Sequence, residues 1–180
     1  MKYAAQTLQE RIKTDGSIDG EVVKVDRFLN HMVDPQLIDL LATDIAGHFA
    51  EKSIEKVLTA ETSGIMLAQA VAGMLGVPFV YAKKKRPLTM GAYYAASSFS
   101  FTKQESTTLY VAKEVLRPRE RVLFIDDFYA KGSTLKAMEE IIEQAEAMLV
   151  GSAVIINKSQ RRDIYAILTL EELQNRSLPI

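Results

Sequence analysis

The sequence contains no cysteine and no tryptophan, and it has only two histidines, His31 and His48. Disulfide bridges and thiolate-bound metal centres are therefore excluded. Two histidines could hold a catalytic zinc ion only with help from carboxylates, and the H-E-x-x-H spacing of a metalloprotease does not occur. The sequence gives no candidate set of metal ligands.

An excess charge of one sign and long apolar runs are also missing. Lysine and arginine total 22 against 23 acidic residues, and a net charge of −1 argues against a general nucleic-acid-binding surface. No run of about 18 apolar residues occurs, and the first residues carry no apolar leader segment. We expect a cytoplasmic protein that contacts neither nucleic acid nor membrane.

The composition present is that of an ordinary soluble domain. Of the 180 residues, 48% are hydrophobic and 25% are charged. There is no internal repeat and no low-complexity linker. We expect residues 1–180 to form a single domain.

The most informative stretch starts with four apolar residues, 122–125, which predict a buried parallel strand. Asp126 and Asp127 follow at its carboxyl end, where ligands bind in open α/β sheets. The alternative is a plain strand that ends in two solvated acids.

A short loop containing Gly132 comes next and leads into a predicted helix that Ser133 or Thr134 could cap. Free backbone N–H groups and the positive end of the helix dipole would then point at one spot. Together, the strand, loop and helix predict a phosphate-binding cradle.

A second unit precedes it, with predicted strands at residues 56–60 and 77–82. The helix between them, residues 65–75, ends at Gly76. Such a unit implies a parallel pair with a right-handed crossover. The loop at residues 61–64 then lies at the carboxyl edge, beside the acids if the two units contribute neighbouring strands.

Four cations, residues 83–86, directly follow the second strand of that unit. A charge run is usually a solvated face, and a nucleic-acid patch is the common alternative. At the carboxyl end of a strand that faces a phosphate loop, the cations suit a polyphosphate substrate better than a duplex.

The amino-terminal part predicts a helix at residues 4–13 and an extended segment at 22–29. Asp34 suits an N-cap and Pro35 a first helical position. The helix that follows has one apolar face, made of Leu37, Leu41, Ile45 and Phe49.

Residues 97–103 and 106–112 predict a hairpin that turns at Gln104 and Glu105. With the irregular segment from residue 87 it is either a mobile lid or a plain edge hairpin. Near the end of the chain, residues 149–156 predict a buried strand that brings Lys158 to the same sheet edge. One more strand and a turn of helix follow, at residues 163–173.

These segments resemble a type I phosphoribosyltransferase, most like the bacterial xanthine phosphoribosyltransferase family. The resemblance covers the chain to about Arg162 and rests on five short strings in family order: VVKVDRFLNH at 22–31, ETSGI at 61–65, LGVP at 75–78, SFTK at 100–103 and IDDF at 125–128. It implies an α/β fold: an open, mostly parallel sheet flanked by helices. A small hood would come from about residues 1–33 and 158–180, and a flexible hairpin would form the lid.

The resemblance also implies the reaction. Phosphoribosyl pyrophosphate (PRPP), carrying Mg²⁺, and a 6-oxopurine base, with xanthine favoured, would become the nucleoside 5′-monophosphate and pyrophosphate. Members of the family usually dimerise, so a homodimer is expected.

By position, the resemblance assigns three groups of residues to PRPP. The catalytic acids Asp126 and Asp127 would face the ribose hydroxyls. The 5′-phosphate loop would consist of Ala130, Lys131, Gly132, Ser133 and Thr134. The pyrophosphate loop would consist of Glu61, Thr62, Ser63 and Gly64, with Lys83 or Lys84 neutralising the leaving group.

The base would be held by Val23, Asn30 and Lys158. An ammonium beside an oxo group favours xanthine over adenine, whereas the plainer interpretation of Lys158 is a solvated lysine after a strand. Adenine phosphoribosyltransferase is the alternative within the class, and a non-catalytic sensor of PRPP or purine is the alternative outside it.

The chain departs from the family pattern at two places. In the phosphate signature, Lys131 stands where the family has a small residue, and Phe124, Phe128 and Tyr129 replace small or aliphatic ones. After Ser159 the tail is shorter, and residues 160–162 replace a turn that contains Gly or Pro.

Overall fold

The computed structural model describes residues 3–100 and 105–175. In chain order its strands are β1 (Ser17–Asp19), β2 (Val22–Lys24), β3 (Lys56–Ala60), β4 (Phe79–Ala82), β5 (Tyr93–Ser100), β6 (Glu105–Ala112), β7 (Arg121–Tyr129), β8 (Met148–Asn157) and β9 (Tyr165–Thr169). Its α-helices are α1 (Tyr3–Asp15), α2 (Pro35–Phe49), α3 (Gly64–Leu75), α4 (Ser133–Gln144) and α5 (Leu170–Gln174).

The central sheet has five strands in the order β4-β3-β7-β8-β9, and every neighbouring pair is parallel. Successive side chains of a strand point to opposite faces, so β7 serves two cores. Leu123 and Ile125 pack with α1, α2 and α3, whereas Val122 and Phe124 pack with α4 and the β5–β6 hairpin. The predicted open parallel sheet flanked by helices is confirmed.

Helix α2 begins as the sequence predicts. The Asp34 carboxylate accepts hydrogen bonds from the backbone N–H groups of Gln36 (3.0 Å) and Leu37 (3.2 Å), with Pro35 in the first turn. Arg11 of α1 donates to the same carboxylate at 3.0 Å. One acid therefore caps α2 and ties α1 to it.

The prediction of an extended segment at residues 22–29 is wrong beyond β2. Residues Asp26–Asn30 form a π-helical turn, and the N–H groups of Phe28 and Leu29 both bond to the carbonyl of Val25. Phe28 and Leu29 are both buried in one core. Neighbouring side chains of an extended strand point to opposite faces, so a helical turn is needed to bury both.

The predicted hairpin is present as β5 and β6. Of the predicted turn, Gln104 lies outside the described residues, and Glu105 is instead the first residue of β6, where it pairs with Ser100. Strand β5 starts at Tyr93, earlier than the alternation from residue 97 indicates, because it pairs with β6 along its whole length. Gln144 of α4 holds this strand by bonding both the N–H (3.3 Å) and the carbonyl (2.8 Å) of Ala95. In the described part of the chain, no helix has the length and apolar character needed to span a membrane.

Candidate active site

A cleft of about 680 Å³ lies at the carboxyl edge of the sheet. Its walls come from the loop after β3, the end of β4, the end of β7 with the loop before α4, and the first residue after β8. The β1–β2 turn and the β5–β6 hairpin complete them. Most of the predicted PRPP residues line it: Asp126, Asp127, Ala130, Lys131, Ser133, Thr134, Glu61, Thr62, Ser63 and Lys84.

The two acids lie on a strand that continues past them, because β7 pairs with β8 as far as Tyr129. The Asp126 carboxylate accepts from the Asp127 N–H at 3.0 Å, and the Asp127 carboxylate accepts from the Phe128 N–H at 2.9 Å. Burial, together with the neighbouring charge of Asp127, raises the pKa of Asp126 well above its usual range, and the charge of Lys84 acts in the opposite direction.

The 61–64 loop lies directly against this acid pair. A Cβ atom at Gly64 would be 3.0 Å from Asp126 Oδ1 and would collide with Thr59 Oγ1. Only glycine allows so close an approach. The predicted position of the loop beside the acids is confirmed, because β3 and β7 are neighbours in the sheet.

Lys83 and Lys84, the first two residues of the cation run, lie in different environments. The Lys84 N–H donates to the Glu61 carboxylate at 2.8 Å, and Lys84 lines the cleft. The Lys83 ammonium instead lies 5.0 Å from the centre of the Tyr81 ring, and its backbone pairs with Tyr110 of the hairpin. Of the two predicted lysines, the structure brings Lys84 to the cleft.

The loop before α4 has the shape of an anion cradle. Gly132 has φ of 75°, in the left-handed region, and α4 begins at Ser133 without a side-chain cap. The prediction that Ser133 or Thr134 caps the helix is therefore wrong, since both lie in its first turn. No capping side chain competes for the first-turn N–H groups, and these N–H groups bind anions at helix N-termini.

The opposite end of the cleft contains Lys158. Its N–H donates to the Tyr129 carbonyl at 2.7 Å, and its ammonium lies 4.6 Å from the centre of the Phe128 ring. Partial burial lowers the pKa of Lys158, while the charges of Asp127 and Glu21 act in the opposite direction. Lys158 is thus a half-buried cation beside an aromatic face.

Two predicted base-binding residues do not line this cleft among the described residues. Val23 is buried in the core, and alternation along β2 places its neighbour Val22 in the cleft wall instead. Asn30 lies in the π-helical turn, and its side-chain oxygen is buried without a hydrogen-bond partner among the described residues.

Three further residues line the cleft that the sequence did not single out. Glu21 comes from the β1–β2 turn, and Ser98 and Thr107, which face each other across β5 and β6, come from the hairpin. No local pattern marks them, since each reaches the cleft only through packing between distant segments.

A larger depression, about 980 Å³, lies along the β8–β9 edge. It is lined by residues of α2 such as Phe49 and by the 158–164 connection, and it shares only Glu21 and Lys158 with the cleft. The acid pair and both predicted phosphate loops lie in the smaller cavity, which we therefore take as the site.

Comparison with known proteins agrees with this geometry. Residues 24–166 match the model of the phosphoribosyl transferase domain, and the chain belongs to that family. Curated relatives have a narrower name, xanthine phosphoribosyltransferase. That of Brevibacillus brevis is 46% identical over 154 residues, or 84% of this chain and 79% of the relative. That of Finegoldia magna is 40% identical over 176 residues, 93% of each.

Solved structures share the fold. The adenine phosphoribosyltransferase of Rhodothermus marinus has a TM-score of 0.71 at 23% identity and covers 92% of this chain and 99% of its own. That of Trypanosoma brucei, in complex with AMP, pyrophosphate and ribose-5-phosphate, has a TM-score of 0.76 at 14% identity, covering 99% and 85%. At these identities the similarity is evidence of the fold alone.

Proposed function

We propose that this protein is a purine salvage enzyme that transfers the phosphoribosyl group of PRPP to a 6-oxopurine, with xanthine favoured, and releases pyrophosphate. The observation that carries the proposal is the meeting of three elements at one sheet edge. These elements are the 61–64 loop, the acid pair and the 130–134 loop. The 61–64 loop lies against Asp126, and the 130–134 loop begins three residues after the acid pair. Relatives named as xanthine phosphoribosyltransferases support the choice of base.

Each end of PRPP finds groups of suitable charge. The loop at 130–134 offers backbone N–H groups, the positive end of the α4 dipole and the Lys131 side chain to the 5′-phosphate. The 61–64 loop and Lys84 would hold the pyrophosphate. A cation there stabilises negative charge that builds up as the bond to the leaving group breaks.

Asp126 and Asp127 would face the ribose hydroxyls between these two ends. Magnesium bound to PRPP takes most of its ligands from phosphate oxygens and water and needs only one or two protein carboxylates. The cleft contains two carboxyl groups, and one ionised carboxylate is enough for the ion, so the residues present fit it. When bound, it would supply positive charge to the departing pyrophosphate.

The base would lie between the Phe128 ring and the residues of the β1–β2 turn, with the Lys158 ammonium near an oxo group. A cation there favours an oxo substituent over the amino group of adenine. The hairpin would close over the reactants and exclude water, which could otherwise capture the ribosyl cation. Its residues Ser98 and Thr107 line the cleft.

The proposal is tested by measuring pyrophosphate release from PRPP and Mg²⁺ with xanthine, guanine, hypoxanthine and adenine side by side. We expect the highest kcat/KM for xanthine. Faster turnover of another base would keep the reaction and reject the base assignment. PRPP binding without turnover of any base would reject the enzyme in favour of a sensor.

A further inference from the structure

Two residues that are far apart in the sequence, Tyr129 and Arg161, meet in the structure. Tyr129 ends β7, and Arg161 lies in the short connection between β8 and β9. Arg161 Nη1 donates to the Tyr129 hydroxyl at 3.3 Å, and the guanidinium carbon lies 5.8 Å from the ring centre. These residues are 32 positions apart, so only the pairing of β7 with β8 brings them together.

The Tyr129 side chain in turn lies against the phosphate loop. A Cβ atom at Gly132 would be 2.8 Å from Cζ of the tyrosine ring, closer than real Cβ atoms come. The ring therefore covers one face of the loop where the backbone takes its left-handed turn. A shift of the ring would remove the packing partner of Gly132.

Arg161 is itself held on several sides. Its Nε and Nη2 donate to the two carboxylate oxygens of Asp163, each at 2.8 Å, and this pairing lowers the pKa of Asp163. The buried Asn157 side chain donates to the Arg161 carbonyl at 2.7 Å. Nη2 also lies 3.8 Å from a carboxylate oxygen of Glu139. Glu139 belongs to α4, the helix that follows the phosphate loop.

We propose that Arg161 is a positioning residue for the phosphate loop: it holds the Tyr129 ring against Gly132 and so fixes the loop before a ligand arrives. The proposal rests on the function given above, since the loop is taken to bind the 5′-phosphate of PRPP. That phosphate keeps its contacts from the ground state to the transition state. Loss of preorganisation should therefore raise the KM for PRPP and leave kcat unchanged.

The first test compares neighbouring arginines. Arg161→Gln should raise the KM for PRPP about three- to tenfold, the range for one ordinary hydrogen bond, with kcat and the KM for the base unchanged. Arg162→Gln removes the same charge one residue away and should leave the KM for PRPP unchanged. Among the described residues, no hydrogen bond or ion pair of the Arg162 side chain is observed. Arg161→Lys should be intermediate, because lysine keeps the charge and loses the fork geometry.

A double-mutant cycle decides whether Arg161 acts through Tyr129. Tyr129→Phe keeps the ring over Gly132 and removes the hydroxyl that Arg161 contacts. If the two residues act in series, the double variant should have the same KM for PRPP as Arg161→Gln alone. Independent, multiplying effects would overturn the proposal.

Backbone ¹⁵N relaxation of the free protein gives a readout that needs no substrate. Order parameters at residues 130–134 should fall in Arg161→Gln and stay at the wild-type level in Arg162→Gln. If wild-type protein turns over PRPP but both variants behave alike in KM and relaxation, only this inference fails. If the wild type does not use PRPP, the proposed function fails, and the relaxation comparison still decides whether Arg161 holds the loop.

Discussion

At the residue scale, the acid pair that we propose for ribose binding also lowers the stability of the folded protein at neutral pH. Asp126 lies beside Asp127 in a strand that is covered on both faces, so ionising it is unfavourable. The folded protein retains the Asp126 proton to a higher pH than the unfolded chain does. The stability that this group contributes is therefore complete below the unfolded pKa and is lost as the pH rises through the folded pKa.

Asp126→Asn tests this account. The amide keeps the acceptor for the Asp127 N–H and cannot ionise, so the variant should unfold at a higher temperature than wild type at pH 7. The difference should vanish below about pH 4, where the unfolded aspartate is also protonated. Thermal unfolding of wild type and variant, from below about pH 4 up to pH 7, measures this difference in unfolding temperature. The exposed Asp39→Asn serves as the control. An equal shift at both ends of the range would contradict the account, and pyrophosphate release should fall in the variant.

Lys158 carries the prediction on base choice. Lys158→Met should raise the KM for xanthine roughly tenfold or more, the value of a charged hydrogen bond, and leave the KM for PRPP unchanged. Burial lowers the pKa of Lys158, so wild type loses this charge at a lower pH than an ordinary lysine.

The ratio of wild-type to Lys158→Met KM values for xanthine should accordingly approach one as the pH rises through that lowered pKa. Lys158→Arg keeps its charge, so its KM for xanthine should stay below that of Lys158→Met over the whole pH range. Ionisation of the base affects wild type and Lys158→Arg alike, so a divergence between these two with rising pH reports the titration of Lys158. If the ratio of the wild-type to the Lys158→Met KM for xanthine does not depend on pH, the ammonium does not contact the base.

At the scale of elements, the start of α3 packs closely against the acid pair through the 61–64 loop. Gly64 is the first residue of α3. Its backbone can lie this close to Thr59 and Asp126 only because glycine has no side chain. Gly73, in the same helix, has open space where an alanine methyl group would lie, with no atom within 4 Å.

Gly64→Ala and Gly73→Ala therefore form a matched pair with opposite expected signs. The first should destabilise the protein by about 1–3 kcal/mol through overpacking and should reduce turnover. The second should stabilise it by about 0.5–1 kcal/mol, since alanine is the better helix former. Urea unfolding of both variants measures the difference. Equal changes in the free energy of unfolding would mean that the 61–64 loop does not pack against the acid as described.

At the scale of the whole molecule, one sheet with a core on each face brings distant segments to a single edge. The loop after β3, the acids of β7 and Lys158 after β8 converge because their strands are parallel neighbours. The hood remains a proposal: Glu21 and Val22 of the amino-terminal segment border the cleft at the Lys158 end.

The homodimer implied by the family resemblance remains a prediction at this scale. Light scattering coupled to size-exclusion chromatography should give a particle of twice the chain mass of 20.1 kDa. A monomer that turns over PRPP would show that the site needs no second subunit.

The parts that the sequence predicted correctly depend on neighbours in the chain. The strand before the acids, the Asp34 cap and the end of α3 at Gly76 are set by periodicity, one side-chain cap and one left-handed residue. The order of the strings also indicated the family. Each of these signals acts over a few residues, so it can be read without knowing the fold.

Tertiary structure alone decided which side chains face the cleft. It placed Val22 rather than Val23, and Lys84 rather than Lys83, in the cleft wall, because register and twist fix which of two adjacent residues points inward. It also brought Arg161 to Tyr129, whose ring lies against Gly132 before α4. Such contacts join residues far apart in sequence, and no local pattern encodes them. The sequence by itself thus determined the elements and the family of this protein, and packing between the elements determined its site.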